Sequence, residues 1–230
     1  MRSWDLDLKV YLLPYSGGSS FYYSKWNDSS IDFCPIEYKG HGMRMGEEWY
    51  KSIFEAAEDI AGYIENECDC EYAIFGHSLG ALITYEVYRK LLIDGFTLPK
   101  HIFMSGCRAP HCKVNVKISE LNFEEYKEAV INLGGISNDF FLNKKIFNTF
   151  NPILYHDFEI NEQYVLRSKD RINNTFYIFV GDEDKSITDE DINAWSDYGD
   201  YELYKFHGNH FYLNENTEKV ISIIKQKMCQ

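Results

Sequence analysis

The stretch Gly76-His77-Ser78-Leu79-Gly80 carries the pattern Gly-x-Ser-x-Gly, which is typical of a serine held on a tight turn between a strand and a helix. We expect glycine at both ends because a larger side chain there would collide with the neighbouring strand or helix. The apolar run at residues 72–75 (Tyr-Ala-Ile-Phe) indicates a buried strand before the turn. Apolar residues then recur at helical spacing until Asp94-Gly95, where the helix should end. This setting predicts that Ser78 is a nucleophile rather than a surface serine.

Length and composition are those of one globular domain. The chain has 230 residues, of which 45% are hydrophobic and 26% are charged. A formal net charge of −13 argues against nucleic acid and against an anionic membrane surface as the main partner. No apolar run reaches the length of a membrane span, and residues 1–5 lack the apolar core of a signal peptide. We therefore expect a cytoplasmic protein.

The six cysteines are expected to be free thiols, because disulfides are rare in the cytoplasm. Cys68-Asp69-Cys70 is too closely spaced for a zinc knuckle, and no paired set of histidines and cysteines completes one. We therefore expect no metal site in this protein.

Strand-like and helix-like stretches alternate along most of the chain, which implies a mainly parallel sheet covered by helices on both faces. Helices are predicted from the capping box Ser52-Ile53-Phe54-Glu55, directly after Ser78, and at about 189–197 and 216–227. Besides the strand before Ser78, strands are predicted at residues 8–13, 31–37, 101–105, 175–180 and 201–206.

The region from about residue 108 to residue 167 differs, because it contains helix-like stretches and no convincing strand. One of its helices is predicted to start at the capping-box pattern Asn122-Phe123-Glu124-Glu125 and to stop at Gly134-Gly135. No internal repeat or low-complexity linker divides the sequence. We therefore predict a single domain over residues 1–230, with a mostly helical insertion at about 108–167.

The loop at residues 15–20 (Tyr-Ser-Gly-Gly-Ser-Ser) follows the first predicted strand and is rich in glycine. It is too short and too poor in lysine to be a nucleotide-binding P-loop. Upstream of the Ser78 turn, such a loop is typical of one that offers a backbone N–H to an oxyanion. An oxyanion hole needs two N–H donors that are in place before the reaction. We assign them to Leu79, directly after the nucleophile, and to Ser16; the alternative for Ser16 is a plain turn residue.

A serine hydroxyl needs a base that takes its proton and an acid that orients the base. In a strand–turn–helix architecture of this kind the two partners follow the serine in the order acid, then histidine. Asp184 follows the strand at 175–180, and His210 follows the strand at 201–206. Both loops are expected at the carboxyl edge of the sheet, where the Ser78 turn also lies.

Each of these two places has a rival. Asp182 shares its loop with Asp184, which we favour because it leaves room for a turn after the strand-ending glycine. Asp182 would then be a turn-forming or solvated carboxylate. His207 competes with His210, and we favour His210 because His207 stands at the end of the strand.

A series of motifs extends this pattern over nearly the whole chain. They are residues 13–19 (Leu-Pro-Tyr-Ser-Gly-Gly-Ser) with Trp26, 40–44 (Gly-His-Gly-Met-Arg), 76–81, 105–110 (Ser-Gly-Cys-Arg-Ala-Pro), 152–154 (Pro-Ile-Leu) with Asp157, 181–184 (Gly-Asp-Glu-Asp), Trp195 and 208–213 (Gly-Asn-His-Phe-Tyr-Leu). In their content and order, these motifs resemble those of the type II thioesterases, the stand-alone editing enzymes of non-ribosomal peptide and polyketide assembly lines.

The resemblance implies an α/β-hydrolase fold in which the insertion at 108–167 is the family's helical lid. It implies a serine hydrolase that cleaves acyl thioesters from the phosphopantetheine arm of acyl or peptidyl carrier proteins. Carried over by motif, the catalytic triad is Ser78, Asp184 and His210, and the oxyanion donors are the backbone N–H groups of Ser16 and Leu79. Carrier protein domains are then the partners, no cofactor of the enzyme's own is implied, and a monomer is favoured.

Two other readings remain open at this point. One is a small-ester or acyl-CoA hydrolase with the same triad. The other is a non-catalytic α/β-hydrolase that serves as a binding module, although an intact nucleophile, acid and base argue against it. Two departures from the family pattern are Tyr15, where a histidine is usual, and Tyr155-His156, where Arg-Ala is usual before Asp157. The second replaces the arginine on which a lid salt bridge would depend.

Overall fold

A single sheet forms the centre of the computed structural model, which describes residues 8–68 and 70–229. The predictions about residues 1–5 and about Asp69 lie outside the described residues. Within them, the sheet has six parallel strands in the order β2-β1-β3-β4-β5-β6. The strands are β1 (Lys9–Leu13), β2 (Asp32–Pro35), β3 (Tyr72–His77), β4 (His101–Ser105), β5 (Phe176–Gly181) and β6 (Tyr201–Phe206). Every predicted strand is present, and β2 is shorter than its predicted range.

From β2 onward a helix lies between consecutive strands as predicted, with small differences at the helix ends, whereas only a 3-10 turn (Ser20–Tyr23) lies between β1 and β2. The predicted last helix starts at Leu213 rather than at residue 216, and the predicted helix at 189–197 is α6 followed by a 3-10 turn. The helices are α1 (Ile53–Glu67), α2 (Leu79–Asp94), α3 (Phe123–Leu133), α4 (Asn138–Leu142), α5 (Lys144–Glu162), α6 (Asp189–Asn193) and α7 (Leu213–Met228).

The two predicted capping boxes differ in outcome. At α3, Asn122 accepts from the backbone N–H of Glu125, and the Glu125 side chain accepts from that of Asn122, so the box is complete. At α1, Ser52 Oγ accepts from the Glu55 N–H at 3.3 Å, but the Glu55 carboxylate binds the N–H of Lys51 instead of Ser52. The prediction of a box at α1 was therefore wrong in its second half, because the carboxylate reaches one residue further back.

The sheet is covered on both faces, as an alternating β/α sequence requires. On β1, Tyr11 packs into an apolar cluster with α1 and α2, whereas Val10 packs into a second cluster with α7. The region 108–167 contributes α3, α4 and α5 and none of the described strands. Apolar residues of α3 and α5 form a third cluster of their own. Among the described residues, no helix is both long and apolar enough to span a bilayer.

The turn around Ser78 depends on two close backbone approaches. A Cβ atom on Gly76 would lie 2.2 Å from the Gly80 carbonyl oxygen, across the turn. A Cβ atom on Gly80 would lie 2.2 Å from the Leu13 carbonyl oxygen, at the end of β1. Backbone atoms cannot yield as a flexible side chain can, so both positions require glycine, for the reason expected from the sequence.

We predict that Gly76→Ala lowers the thermal midpoint of unfolding, because the new methyl group must displace the backbone of α2. Overpacking of this kind costs about 1–3 kcal/mol, and each kcal/mol lowers Tm by ~2–4 °C in a chain of this size. The control is Gly62→Ala in α1, where a Cβ atom would meet no heavy atom within 4 Å. We expect that control to keep or raise Tm, because alanine favours a helix over glycine. Equal Tm values for the two variants would contradict this account of the turn.

Candidate active site

Ser78 stands at the junction of β3 and α2 in a strained backbone conformation. Its φ is 56° and its ψ is −116°, and it is the only non-glycine residue with positive φ in the described part of the chain. Its N–H donates to the carbonyl oxygen of Ser105 at 2.8 Å, which fixes the turn to the end of β4. All other residues from 72 to 89 are buried, whereas Ser78 is partly exposed. The turn therefore presents one hydroxyl-bearing residue from an otherwise buried segment.

Asp184 and His210 are brought together at the carboxyl edge of the sheet. The Asp184 Oδ2 atom lies 2.7 Å from His210 Nδ1, and both side chains are almost completely buried. A carboxylate oxygen can only accept, so the proton of this bond is on Nδ1. The Nε2 atom of a neutral His210 then carries the lone pair that a general base needs.

Ser186 holds the other oxygen of the Asp184 carboxylate. Its N–H and its hydroxyl donate to Asp184 Oδ1 at 2.9 Å and 2.6 Å. Burial alone would raise the pKa of Asp184, but the hydrogen bonds from His210 and Ser186 outweigh it and lower the pKa below the ordinary 3.8. Ser186 was not foreseen from the sequence, although a serine two residues after an aspartate is a common partner for it.

Asp182 and His207, the alternatives to Asp184 and His210, lie together on the surface. Asp182 Oδ1 accepts from the N–H of Gly208 at 3.0 Å and lies 3.4 Å from His207 Nδ1. The Asp182 side chain therefore joins the two loops rather than reaching His210. Asp182, Glu183 and His207 also bring three potential metal ligands within 4.8 Å of one another, but all three are exposed, and such groups are common without an ion.

His77 connects the serine turn to the acid–base pair. Its ring centroid lies 5.1 Å from that of His210, so the residue before the nucleophile packs against the candidate base. His77 is fully buried, and its Nδ1 lies 2.9 Å from the Ser105 hydroxyl. Burial and the nearby His210 lower the pKa of His77 well below its ordinary value, so its ring is neutral.

The loop after β1 forms a β-turn beside the start of α2. The N–H of Gly18 donates to the Tyr15 carbonyl oxygen at 2.9 Å, and Gly17 has a φ of 72°. The N–H of Ser16, within this turn, donates to no other described residue. The N–H of Leu79 is among the first four of α2, which have no partner inside the helix. Because Gly80 packs on the end of β1, the two candidate oxyanion donors belong to elements in contact.

Tyr15 and the pair Tyr155-His156, which depart from the family pattern, all make specific contacts, although Tyr155 is exposed. The Tyr15 ring stands edge-on to those of Phe211 and Tyr22, and burial raises the pKa of its hydroxyl to about 12. In α5, the Tyr155 hydroxyl donates to the Ser119 carbonyl oxygen at 2.7 Å. His156 Nε2 lies 2.8 Å from the Tyr50 carbonyl oxygen. Hydrogen bonds therefore attach α5 at these two positions.

The "Thioesterase domain" family model matches residues 8–228. The chain belongs to the thioesterase family. Its parallel sheet and flanking helices are those of the α/β-hydrolase fold, so the fold class and the family predicted from the sequence are confirmed.

Known proteins similar to this chain match it over most of their length. Linear gramicidin dehydrogenase LgrE of Brevibacillus parabrevis is 26% identical over 97% of this chain and 89% of its own. The medium-chain S-acyl fatty acid synthase thioesterase of Rattus norvegicus is 28% identical over 94% of this chain and 86% of its own. The crystal structure of ClbQ from the colibactin NRPS/PKS pathway is 29% identical, with a TM-score of 0.89, and covers 96% of this chain and 97% of that one.

We predict that Asp184→Asn lowers kcat for an acyl thioester by roughly 10³–10⁴-fold, because the charge that orients and stabilises the His210 imidazolium is lost. The matched control is Asp182→Asn, which changes a neighbouring carboxylate that does not touch His210. We expect it to retain most of the wild-type kcat. Tm is measured for both variants to show that each is folded. A larger loss of kcat in the Asp182 variant would mean that Asp182 is the acid.

Proposed function

We propose that this chain is an editing thioesterase that hydrolyses acyl thioesters on the phosphopantetheine arm of acyl or peptidyl carrier proteins in a non-ribosomal peptide or polyketide pathway. The observation that carries the proposal is the buried Asp184–His210 pair, packed against the residue before the strained Ser78. We propose Ser78 as nucleophile, His210 as general base and acid, and Asp184 as the group that orients His210. The proposed enzyme uses no cofactor of its own.

The reaction follows from this arrangement in two halves. His210 Nε2 takes the proton of the Ser78 hydroxyl as its oxygen attacks the thioester carbonyl carbon. The N–H groups of Ser16 and Leu79 donate to the oxyanion that forms. The C–S bond then breaks, and the thiol of the arm leaves with the proton from His210. A water molecule, deprotonated by His210, attacks the acyl-serine in the same way and releases the free acid.

The known proteins support the substrate class. ClbQ is described as part of an NRPS/PKS pathway, and the rat relative is named as an S-acyl fatty acid synthase thioesterase. LgrE is named a dehydrogenase, but a serine, a histidine and an aspartate arranged as here suit acyl transfer rather than hydride transfer.

We predict that a serine-directed phosphonate labels the wild-type protein once, on Ser78, and does not label Ser78→Ala. The variant should unfold at about the same temperature as the wild type, and its kcat for an acyl thioester should fall by roughly 10⁶-fold, since the attacking oxygen is missing. Mass spectrometry of the digested protein locates the label. A label on a different serine, or a Ser78→Ala protein with wild-type turnover, would refute the assignment.

The competing acyl-CoA hydrolase is separated from the proposed enzyme by the group that bears the acyl chain. One acyl group is offered on a carrier protein, on CoA and on N-acetylcysteamine, and kcat/KM is compared. We expect the carrier protein to be preferred by about tenfold or more, because a docked carrier adds at least ~1.4 kcal/mol of transition-state binding. A preference for acyl-CoA would favour the alternative enzyme, and hydrolysis of none of the three would leave the binding-module reading.

A further inference from the structure

A buried carboxylate of the lid reaches the loop that carries the Ser16 donor. Asp157 lies on α5, and its Oδ2 atom accepts from the backbone N–H of Gly17 at 2.6 Å. The same oxygen lies 3.0 Å from Nε2 of His41. Only 3% of the Asp157 side chain and 4% of the His41 side chain are exposed. One oxygen atom therefore joins the lid, the oxyanion loop and the turn at residues 40–42.

The partners of His41 make this contact an ion pair. Its Nδ1 lies 3.0 Å from the carbonyl oxygen of Lys39, which can only accept a hydrogen bond. Its Nε2 faces Asp157 Oδ2, which already receives the Gly17 N–H. Both ring nitrogens must then donate, and only the imidazolium does so. In agreement, burial tends to lower the pKa of His41, but the hydrogen bond and charge of Asp157 raise it above the ordinary value.

The Gly17 N–H belongs to the central peptide of the β-turn from Tyr15 to Gly18. A positive φ at Gly17 is typical of a type II turn, which turns into type I when the central peptide rotates by about 180°. That rotation would change ψ of Ser16 and reverse its carbonyl. The Ser16 N–H lies on the preceding Tyr15–Ser16 peptide, so the bond at Gly17 holds it through the position of Ser16 in the turn. A hydrogen bond to a charged acceptor opposes the rotation, because such bonds are about twice as strong as neutral ones.

The helix also holds Gly17 by direct packing. A Cβ atom on Gly17 would lie 2.9 Å from Cδ1 and 3.1 Å from Cβ of Leu154, which is one turn before Asp157 in α5. The Cα of Gly17 therefore packs against Leu154 of α5, and the Gly17 N–H is hydrogen-bonded to Asp157 of the same helix. These two contacts fix the Ser16–Gly17 peptide relative to the lid.

We propose that Asp157, paired with His41, is a positioning residue that holds the Ser16 N–H in the orientation required to stabilise the oxyanion. The proposal rests on the proposed thioesterase mechanism, and it names two residues that do not contact the reacting atoms. Removal of one member of a buried ion pair leaves an uncompensated charge, so the two residues are expected to act as one unit.

The test compares Asp157→Asn and Asp157→Ala with the wild type on acyl-N-acetylcysteamine. Two inhibitors are also compared: an acyl trifluoromethyl ketone, which forms an oxyanion on Ser78, and an unreactive thioether analogue of the substrate. We expect Asp157→Ala to lower kcat by roughly 10²-fold, as loss of one oxyanion donor does. The ketone should lose affinity in parallel, while KM and thioether affinity stay nearly constant. Asp157→Asn should lower kcat and ketone affinity by less, but still by about tenfold or more. Its amide oxygen can still accept from the Gly17 N–H, but it carries no charge.

The matched control is Asp170→Asn, which removes the charge of a carboxylate bonded to the buried Arg89, on α2 and away from the loop. We expect it to lower Tm without lowering kcat or ketone affinity. If both Asp157 variants lower only Tm, or fail to fold, the pair is purely structural and the proposal is overturned. If the wild type hydrolyses no thioester, the proposed function fails, but the loss of ketone affinity in the Asp157 variants still tests the positioning role.

Discussion

The backbone strain at Ser78 is the constraint around which the site is arranged. A residue with φ of 56° and ψ of −116° costs of order 1–3 kcal/mol and persists only where its surroundings impose it. Here the surroundings are backbone contacts: Gly76 and Gly80 close on each other across the turn, Gly80 lies against the end of β1, and the Ser78 N–H is bonded to Ser105. The last two contacts tie the turn to the neighbouring strands β1 and β4, so its geometry depends on the sheet as well as on the turn itself.

Parallel strands explain why the remaining groups meet at this turn. Their carboxyl ends share one edge, so the loops after β1, β3, β5 and β6 converge although they are far apart in sequence. The loop after β1 brings Ser16, and those after β5 and β6 bring Asp184 and His210. The Ser16 loop is also held by its own turn, in which the N–H of Gly18 donates to the Tyr15 carbonyl oxygen, and by the Tyr38 hydroxyl, which donates to the Pro14 carbonyl oxygen. The pair of Asp157 and His41 adds a restraint from α5 at the Gly17 N–H, which in our proposal gives the insertion a role besides covering the site.

Much of this arrangement could be predicted from the sequence because it is encoded in short segments. The turn pattern around Ser78, the strand-like runs and the order of Asp184 and His210 are local features. The choice between Asp184 and Asp182 could not be settled in that way, since both lie in one loop. Contacts with distant residues separate them: Asp184 bonds to His210, whereas Asp182 bonds to Gly208. The pair of His41 and Asp157 was out of reach for a different reason: 116 positions separate its members, and no local pattern joins them.

A crystal structure of the protein with a phosphonate bound to its nucleophile tests the central claim most directly. The phosphonyl oxygen takes the place of the oxyanion, so its neighbours show which N–H groups form the hole. The account predicts phosphorus on Ser78 Oγ, with that oxygen about 2.7–3.1 Å from the backbone nitrogens of Ser16 and Leu79. Phosphorus on another residue, or a phosphonyl oxygen turned away from both nitrogens, would contradict it.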